Sequence, residues 1–374
     1  MKLVDLFLKF LKLGATGWGG PIGRIALMHK ELVVKDKWIT EEKFAKVLAV
    51  YQILPGPEAT EIATYFGYSK LGRAGAIIAG LGFMLPGFLL MLILSYLYVN
   101  YGLQAPESNA ILYGIRPVII ALILHAVYKL GKQNIKDLKM FVLAASSLLL
   151  FLFTKIDFLI ILPIAGLVSF FIYGGKLREN TKKMLAGIVF PAIGVLPVLP
   201  ATVLLFVFFL KAGLLTFGGA YSVVPFIQHG AVYDYGWLTN EQYLDGLTLG
   251  SIIPSPIVII ATFTGYMAGG LLGAILATIA IFLPAFAFTL IGFKHIEEAI
   301  NNKEINKFLV GVVAAIIGLI LSTWIELTQV AIIDIPTITL GIVAFYLIVK
   351  KKNFLLIVLG SGIIGILLKF VFKL

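Results

Sequence analysis

The sequence predicts an all-α integral membrane protein made of two homologous repeats of inverted topology. Each repeat opens with an irregular broken-helix or re-entrant module and continues through about four transmembrane helices. Three observations carry this prediction. Hydrophobic residues make up 60% of the 374-residue chain and charged residues only 13%, with mean hydropathy +1.01, whereas soluble domains carry about 25% charged residues. Blocks of sequence recur 199 positions apart: Lys12 returns as Lys211, Trp38 as Trp237 and Pro55 as Pro254. Finally, the loops flanking the first copy are basic and those flanking the second are not, which places the copies in opposite orientations if basic loops stay in the cytoplasm.

The recurrence is dense where the chain is least regular. Phe10-Leu11-Lys12-Leu13-Gly14 and Trp18-Gly19-Gly20 return as Phe209-Leu210-Lys211-Ala212-Gly213 and Phe217-Gly218-Gly219. Trp38-Ile39-Thr40 returns as Trp237-Leu238-Thr239, and Pro55-Gly56-Pro57 as Pro254-Ser255-Pro256. The offset then drifts slowly, with Leu85-Pro86 facing Leu283-Pro284 and Gly114 facing Gly311. Chance matches would scatter in offset, so the chain reads as a duplication. The boundary is set at residues 1–178 and 179–374, within the glycine-rich and charged stretch from Gly174 to Lys183.

Taken in order, Met1 to Leu13 carries Asp5 among lysines and leads into no small-residue cleavage site, so it is not read as a cleaved signal. Whether Lys2 to Lys12 crosses the bilayer or lies in its interface stays open. Gly17 to Gly20 breaks the first helix, and Pro21 suits the first position of the next one. Thr40 is expected to cap a helix that stops before Pro55, because a residue preceding proline is pushed out of helical geometry. Pro57 then starts a helix through Glu58, Glu61 and Tyr65. Uncharged runs long enough to span about 30 Å follow at Ala74 to Asn100, Met184 to Leu210 and Phe308 to Ile325, and the charge-free stretch Gly246 to Phe293 has the length for two crossings.

Loop charges fix the expected sides. Between Leu13 and Ser95 lie Arg24, Lys30, Lys35, Lys37, Lys43, Lys46, Lys70 and Arg73, whereas the equivalent stretch from Ala212 to Phe293 has no lysine or arginine. Later loops alternate: Lys129 to Lys139, Lys176 to Lys183, Lys294 to Lys307 and Lys350 to Lys352 are basic and inside, while Tyr101 to Asn109 and Glu326 to Thr339 are outside. Lys155, in a short outer turn, is the exception. A multi-pass protein of the cell membrane with its C-terminus outside is the expected result. Net charge +11 is explained by this distribution rather than by nucleic acid.

The two breaks in each copy expose helix beginnings, whose unpaired N–H groups and partial positive charge suit an anion. Broken helices at membrane depth persist only where protein buries them or they line a cavity. Candidate anion-binding residues are therefore Lys12, Gly19, Gly20, Arg24, Lys30, Pro55, Gly56 and Pro57 in the first copy, with Lys211, Gly218, Gly219, Pro254, Ser255 and Pro256 in the second. Plainer readings stand beside these. Paired glycines also serve close helix packing, Lys12 and Lys211 also suit snorkelling to the interface, and Arg24 and Lys30 also suit ion pairing with Glu31 or exposure to water. Glu58 and Glu61 either favour a helix dipole or relay protons, and isoleucines replace them in the second copy. Arg116 and His125 are expected at the membrane interface, and Asp245 is assigned no role. Cysteine is absent and the four histidines are not clustered, so neither a metal site nor a cofactor is expected. Motifs for nucleophilic, zinc-dependent or phosphate-binding enzymes are also missing.

With these residues laid out, the chain resembles the full-length, two-domain form of the chromate transporter family along essentially its whole length. Gly17-Trp18-Gly19-Gly20-Pro21, Leu54-Pro55-Gly56-Pro57-Glu58-Ala59, Leu85-Pro86-Gly87 and Thr262-Phe263-Thr264-Gly265-Tyr266 carry the likeness. It implies a secondary carrier of a tetrahedral oxyanion, chromate with sulfate as its isoelectronic relative, commonly exported using the proton gradient. The expected partners are the oxyanion, protons and lipid, with a homodimer left open. A passive anion channel, or a carrier of another small anion, is the alternative. Ser255 departs from the glycine usual between the two prolines.

Overall fold

The computed structural model describes residues 1–18, 20–51, 56–101, 106–154, 156, 158–175, 200–216, 220–300 and 303–372, and every regular element among them is helical. In the first half these are α1 (Leu3–Thr16), α2 (Gly20–Met28) running into a π-helical turn (His29–Lys35), α3 (Glu41–Tyr51), α4 (Glu58–Tyr101), α5 (Pro106–Asn134), α6 (Leu138–Thr154) and α7 (Phe158–Ile172). The second half repeats the order with α8 (Ala201–Leu214), α9 (Val223–Gln228) and its own π-helical turn (His229–Asp234), α10 (Asn240–Ile252), α11 (Ile260–Ile300), α12 (Lys303–Ala331), α13 (Ile335–Val349) and α14 (Phe354–Phe372). The duplication is thus an architectural one, down to the paired π-helical turns. The boundary expected at residue 178 lies outside the described residues, as does most of the run from Met184 to Leu210.

The first helix of each half is short for a membrane span. α1 and α8 have 14 residues each, about 21 Å at ~1.5 Å per residue, against the ~30 Å of a hydrocarbon core. Both end at the glycine breaks. The chain then returns to the face it came from: Lys9 of α1 pairs with Asp36 beyond the π-helical turn, and the rings of Phe10 and Trp38 lie 6.2 Å apart. Trp38 also meets Phe66 at 6.2 Å and sits under the Lys70 ammonium at 5.0 Å. The opening module is therefore two helical hairpins entering from one face, and Phe209 with Trp237 repeats the closure in the second half at 6.3 Å.

What completes the second hairpin is a sharp reversal inside α4. Leu71 and Gly72 leave helical geometry, with Gly72 at φ +61 and ψ −148, a region almost confined to glycine that costs an L side chain about 1–3 kcal/mol. The equivalent Gly270 of α11 has φ +59. Each short arm then folds onto the long arm that follows, and a Cβ at Gly67 would lie 2.2 Å from the Gly75 carbonyl oxygen. Gly265 and Gly273 make the same approach in α11, and Thr262 bonds Thr278 across it at 2.7 Å. The charge-free stretch from Gly246 to Phe293, long enough for two crossings, is instead a half-helix and one full span.

The long arms of α4 and α11 pack together at the centre and run antiparallel. Gly80 lies against Phe286 and Thr64, and Thr64 bonds Thr289. Further along α4, Tyr98 meets Phe263, the neighbour of Thr262 that bonds back to Thr278. α1 lies on α4, where a Cβ at Gly14 would come within 2.4 Å of the Phe83 carbonyl oxygen. α8 lies on α11 through Gly213 and Ile281 in the same way.

The remaining helices are exchanged between halves. α6 and α7 of the first half pack on α12 of the second, and α13 and α14 of the second pack on α5 of the first. Small residues allow this contact. A Cβ at Gly114 of α5 would lie 2.0 Å from the Ser361 carbonyl oxygen on α14, and one at Gly311 of α12 would lie 2.3 Å from that of Ala165 on α7. The outer surface is apolar, with Ile77, Leu81, Ile93 and Leu97 exposed on α4 and Leu271, Leu272, Ile275 and Ile279 on α11, as a lipid-facing surface requires.

Candidate functional site

The breaks of the two halves meet in the interior and bond to each other. The Gly56 N–H donates to the Thr216 carbonyl oxygen at 2.9 Å, so the first half's second break holds the second half's first break. Reciprocally, Nη2 of Arg24 donates to the Pro254 carbonyl oxygen at 2.9 Å and to that of Gly14 at 3.2 Å. The Arg24 guanidinium also lies over the Phe83 ring at 4.3 Å. Arg24 is 1% exposed, and neither its Nε nor its Nη1 has a hydrogen-bond partner among the described residues.

Gly56 has φ +151, and a Cβ there would lie 2.6 Å from Oε1 of Glu61. The position thus needs glycine both for its backbone and for the carboxyl that leans over it. Glu61 is fully buried, and neither of its carboxyl oxygens has a hydrogen-bond partner among the described residues. Ser255, which occupies the equivalent place in the second half, is not in the left-handed region and turns its hydroxyl toward Gly87. The serine is therefore tolerated because the two breaks are not conformationally identical.

A cavity of about 1120 Å³ leads to these breaks. Its deep end is lined by Glu58, Ala220, Tyr221, Ser251, Ser255 and Ile257. Its other end is formed by the tail of α5, from His125 to Asn134, and by the α13–α14 turn at Lys351 to Leu355, with His29 on the wall. The cavity thus opens on the face of the basic loops and ends at helix beginnings supplied by both halves.

On the opposite face the equivalent positions are tied together. Nε2 of Gln228 donates to Asn240 at 2.8 Å and to Glu326 at 3.0 Å, and the Tyr233 hydroxyl donates to Glu326 at 3.0 Å. Beside this, Arg116 of α5 reaches across to α10, with Nε 2.8 Å from Oδ1 of Asp245 and Nη2 2.9 Å from Oε1 of Glu241. The Tyr98 hydroxyl completes the cluster by donating to Asp245 at 3.0 Å.

The structure brings together Arg24, Gly56, Glu58, Glu61, Pro254 and Ser255. Pro57 accepts the N–H groups of Thr60 and Glu61, and Pro256 caps the short helical turn opening at Ile257. Gly20 begins α2, whereas Gly19, Pro55, Gly218 and Gly219 lie outside the described residues. Lys12 and Lys30 are exposed and line no part of the cavity, and Lys211 is half-buried outside its lining. Arg24 is corrected in the other direction: Glu31 pairs with Lys35 instead, and burial rather than water surrounds the guanidinium. Arg116 and His125 are corrected too, the first being a bridge between halves and the second a cavity-lining residue. Sequence reading missed Lys129, Lys351 and Lys352 as cavity residues, because a basic loop explains itself by topology. Among the described residues no cluster of His, Asp or Glu could hold a metal ion.

Comparison with known proteins agrees with this architecture. A family model described as chromate transporter matches residues 4–170 and 203–366. The chromate transport protein of Pseudomonas aeruginosa is 40% identical, over 98% of this chain and 92% of its own length. The chromate transport protein of Cupriavidus metallidurans is 34% identical, over 97% and 92% respectively. An uncharacterized transporter of Bacillus subtilis, 31% identical, covers 46% of this chain with 95% of its own length. No solved structure matches.

Proposed function

The chain belongs to the chromate transporter family, and on that premise we propose that it carries a tetrahedral oxyanion, chromate or sulfate, by proton-coupled alternating access between its two halves. A membrane transporter is what the family membership establishes; substrate, coupling and mechanism are the proposal. One observation carries it. The cavity is open on one face, ends at breaks from both halves, and is sealed from the other face by the Gln228–Glu326 and Arg116–Asp245 clusters.

Loop charges make the open face cytoplasmic, so the described conformation faces inward and suits uptake of an anion for export. The half-length relative supports the reading that one repeat is a unit, and the antiparallel long arms support two units inverted about an axis in the membrane plane. Rocking one unit against the other would close the inner cleft and release the outer one. The domain division at residue 178 belongs to this proposal.

Arg24 is the residue assigned to the anion. A buried guanidinium without a carboxylate is costly to maintain, and among the described residues Arg24 has no carboxylate partner and two unused nitrogens beside the helix breaks. The breaks add backbone N–H donors without adding mobile charge. Glu58 faces the cavity and Glu61 lies one turn further on, buried beside Gly56, so the two are spaced to pass a proton from water to the site. Reconstituted protein in proteoliposomes is expected to move sulfate or chromate against its gradient when a pH gradient is imposed. Flux that only runs downhill would identify a channel, and no flux of either anion would end the proposal.

A further inference from the structure

The mouth of the cavity carries charge that the central site does not use. Lys129 and His125 lie near the end of α5, and Lys351 and Lys352 lie on the turn between α13 and α14, so two elements drawn from different halves present them to one space. Among the described residues of that lining the one acid is Glu58. Among the described residues no carboxylate pairs with Lys129, Lys351 or Lys352. His29, on the facing wall, is already engaged by Glu41 at 2.7 Å.

The turn itself is built to divide its lysines. Lys350 lies over the Tyr346 ring at 5.7 Å and is absent from the cavity. Lys351 takes φ +56, unusual for a residue with a side chain. The conformation is held by N–H bonds from Lys351 to Ile348 at 2.9 Å and from Lys352 to Leu347 at 3.1 Å. The strained turn thus puts Lys351 and Lys352 in the cavity lining and leaves Lys350 outside it.

We propose that Lys129, Lys351 and Lys352 form a second, outlying anion site that captures dianionic tetrahedral oxyanions from the cytoplasm before they reach the breaks. The inference rests on the carrier reading above. Three ammonium groups around an open cavity raise the local concentration of a dianion far more than that of a monovalent anion. Glu58 lies close enough to Lys129 for electrostatic attraction, so an arriving dianion competes with Glu58 for the same cation. A lipid phosphate has the same chemistry, but these side chains line the cavity rather than the lipid-facing surface, which favours the soluble anion.

The test measures sulfate flux in proteoliposomes of purely zwitterionic lipid, and again with anionic lipid added. In the double variant K351Q/K352Q, KM for sulfate is expected to rise about tenfold with the maximal rate held within about twofold, and Lys129→Gln is expected to raise KM similarly. KM of the unsubstituted protein should climb with ionic strength more steeply than that of the double variant, which keeps Lys129 alone, and K351R/K352R should restore the original KM. An unchanged KM in the double variant alongside normal flux overturns the second site and leaves the carrier reading intact. A KM shift confined to vesicles with anionic lipid assigns the lysines to lipid and equally overturns it. Absence of flux in the unsubstituted protein refutes the carrier reading itself.

Discussion

The cleft of the first repeat on the face of the basic loops and the cleft of the second repeat on the opposite face are built from equivalent positions, yet one is open and lined by lysines and the other is tied shut by hydrogen bonds and ion pairs. His29 answers to Gln228, Glu41 to Asn240 and Lys129 to Glu326. In the second repeat these groups bond directly, Gln228 touching both Asn240 and Glu326. In the first repeat His29 keeps its bond to Glu41 while Lys129 stands on the other wall of the cavity. The ionisable residues deeper in follow the same division, with Arg24, Glu58 and Glu61 facing Val223, Ile257 and Ile260. The duplication supplies the backbone reversals and helix beginnings twice, whereas the buried arginine and the two glutamates occur once.

The largest effect is expected where that chemistry is concentrated. Arg24→Ala removes the buried cation and also the bonds to Gly14 and Pro254, so anion flux should fall by at least about 100-fold, as loss of a buried charged contact of ~3 kcal/mol or more implies. Arg24→Lys should not rescue it, because an ammonium has three donors in place of five and no planar fork, so bonding both carbonyls leaves at most one for the anion. Flux retained in the lysine variant would show that the first repeat's arginine is only a structural tie.

Next in size is the bridge on the closed side. Asp245 has no exposed side-chain surface, and Arg116→Met leaves it buried without its cation, a change of about 3–5 kcal/mol. The outer face should open. Since the chain has no cysteine, a cysteine at Gly250 on the cavity floor reports this cleanly: it should react from inside alone in the parent protein, and from outside once Arg116→Met is added. Labelling that stays on the inside would mean that the Gln228–Glu326 cluster closes the outer face unaided.

A smaller effect separates the proton from the anion. Glu58→Gln should abolish the dependence of uphill flux on the pH gradient while leaving anion exchange within about threefold, since relays contribute through protonation rather than binding. Coupling that survives this change would shift the relay to Glu61 alone. The smallest effect belongs to the scaffold that both repeats share. Gly72→Ala meets no neighbour within 4 Å but must hold φ +61 with ψ −148, so it should lower stability by about 1–3 kcal/mol and leave transport unchanged. Gly270→Ala should match it, and a marked difference in thermal unfolding between the two would mean that the reversals are not equivalent.

Much of this was legible in the sequence because it is local. Thr40 caps the helix from Glu41 by accepting the Lys43 N–H at 3.2 Å, and Thr239 does so for Gln242 at the same distance. The breaks fall where paired glycines and prolines require them. The partners that Arg24 and Arg116 find in the second half were not legible, because they lie 230 and 129 positions away. Nothing near Arg24 foretells Pro254, and nothing near Arg116 foretells Asp245. Glu31, the apparent local partner of Arg24, is the acid that local spacing suggests and the packing does not use. The basic turn at Lys350 to Lys352 was likewise read as a marker of sidedness, which concealed its place on the cavity.

The exchange of α6–α7 and α13–α14 between the halves has a consequence in time. The hairpin ending at Ile172 finds its packing surface on α12, which begins at Lys303. At a synthesis rate of about 5–20 residues per second, the ribosome needs roughly 10–30 s to supply that surface after the hairpin has emerged. During this interval Gly166, which will meet Phe308, and Ala165, which will meet Gly311, have only lipid or the insertion machinery beside them. Assembly of the first half must therefore wait for the second, so a nascent chain stalled before Lys303 should remain susceptible to membrane proteases even though its own helices are complete.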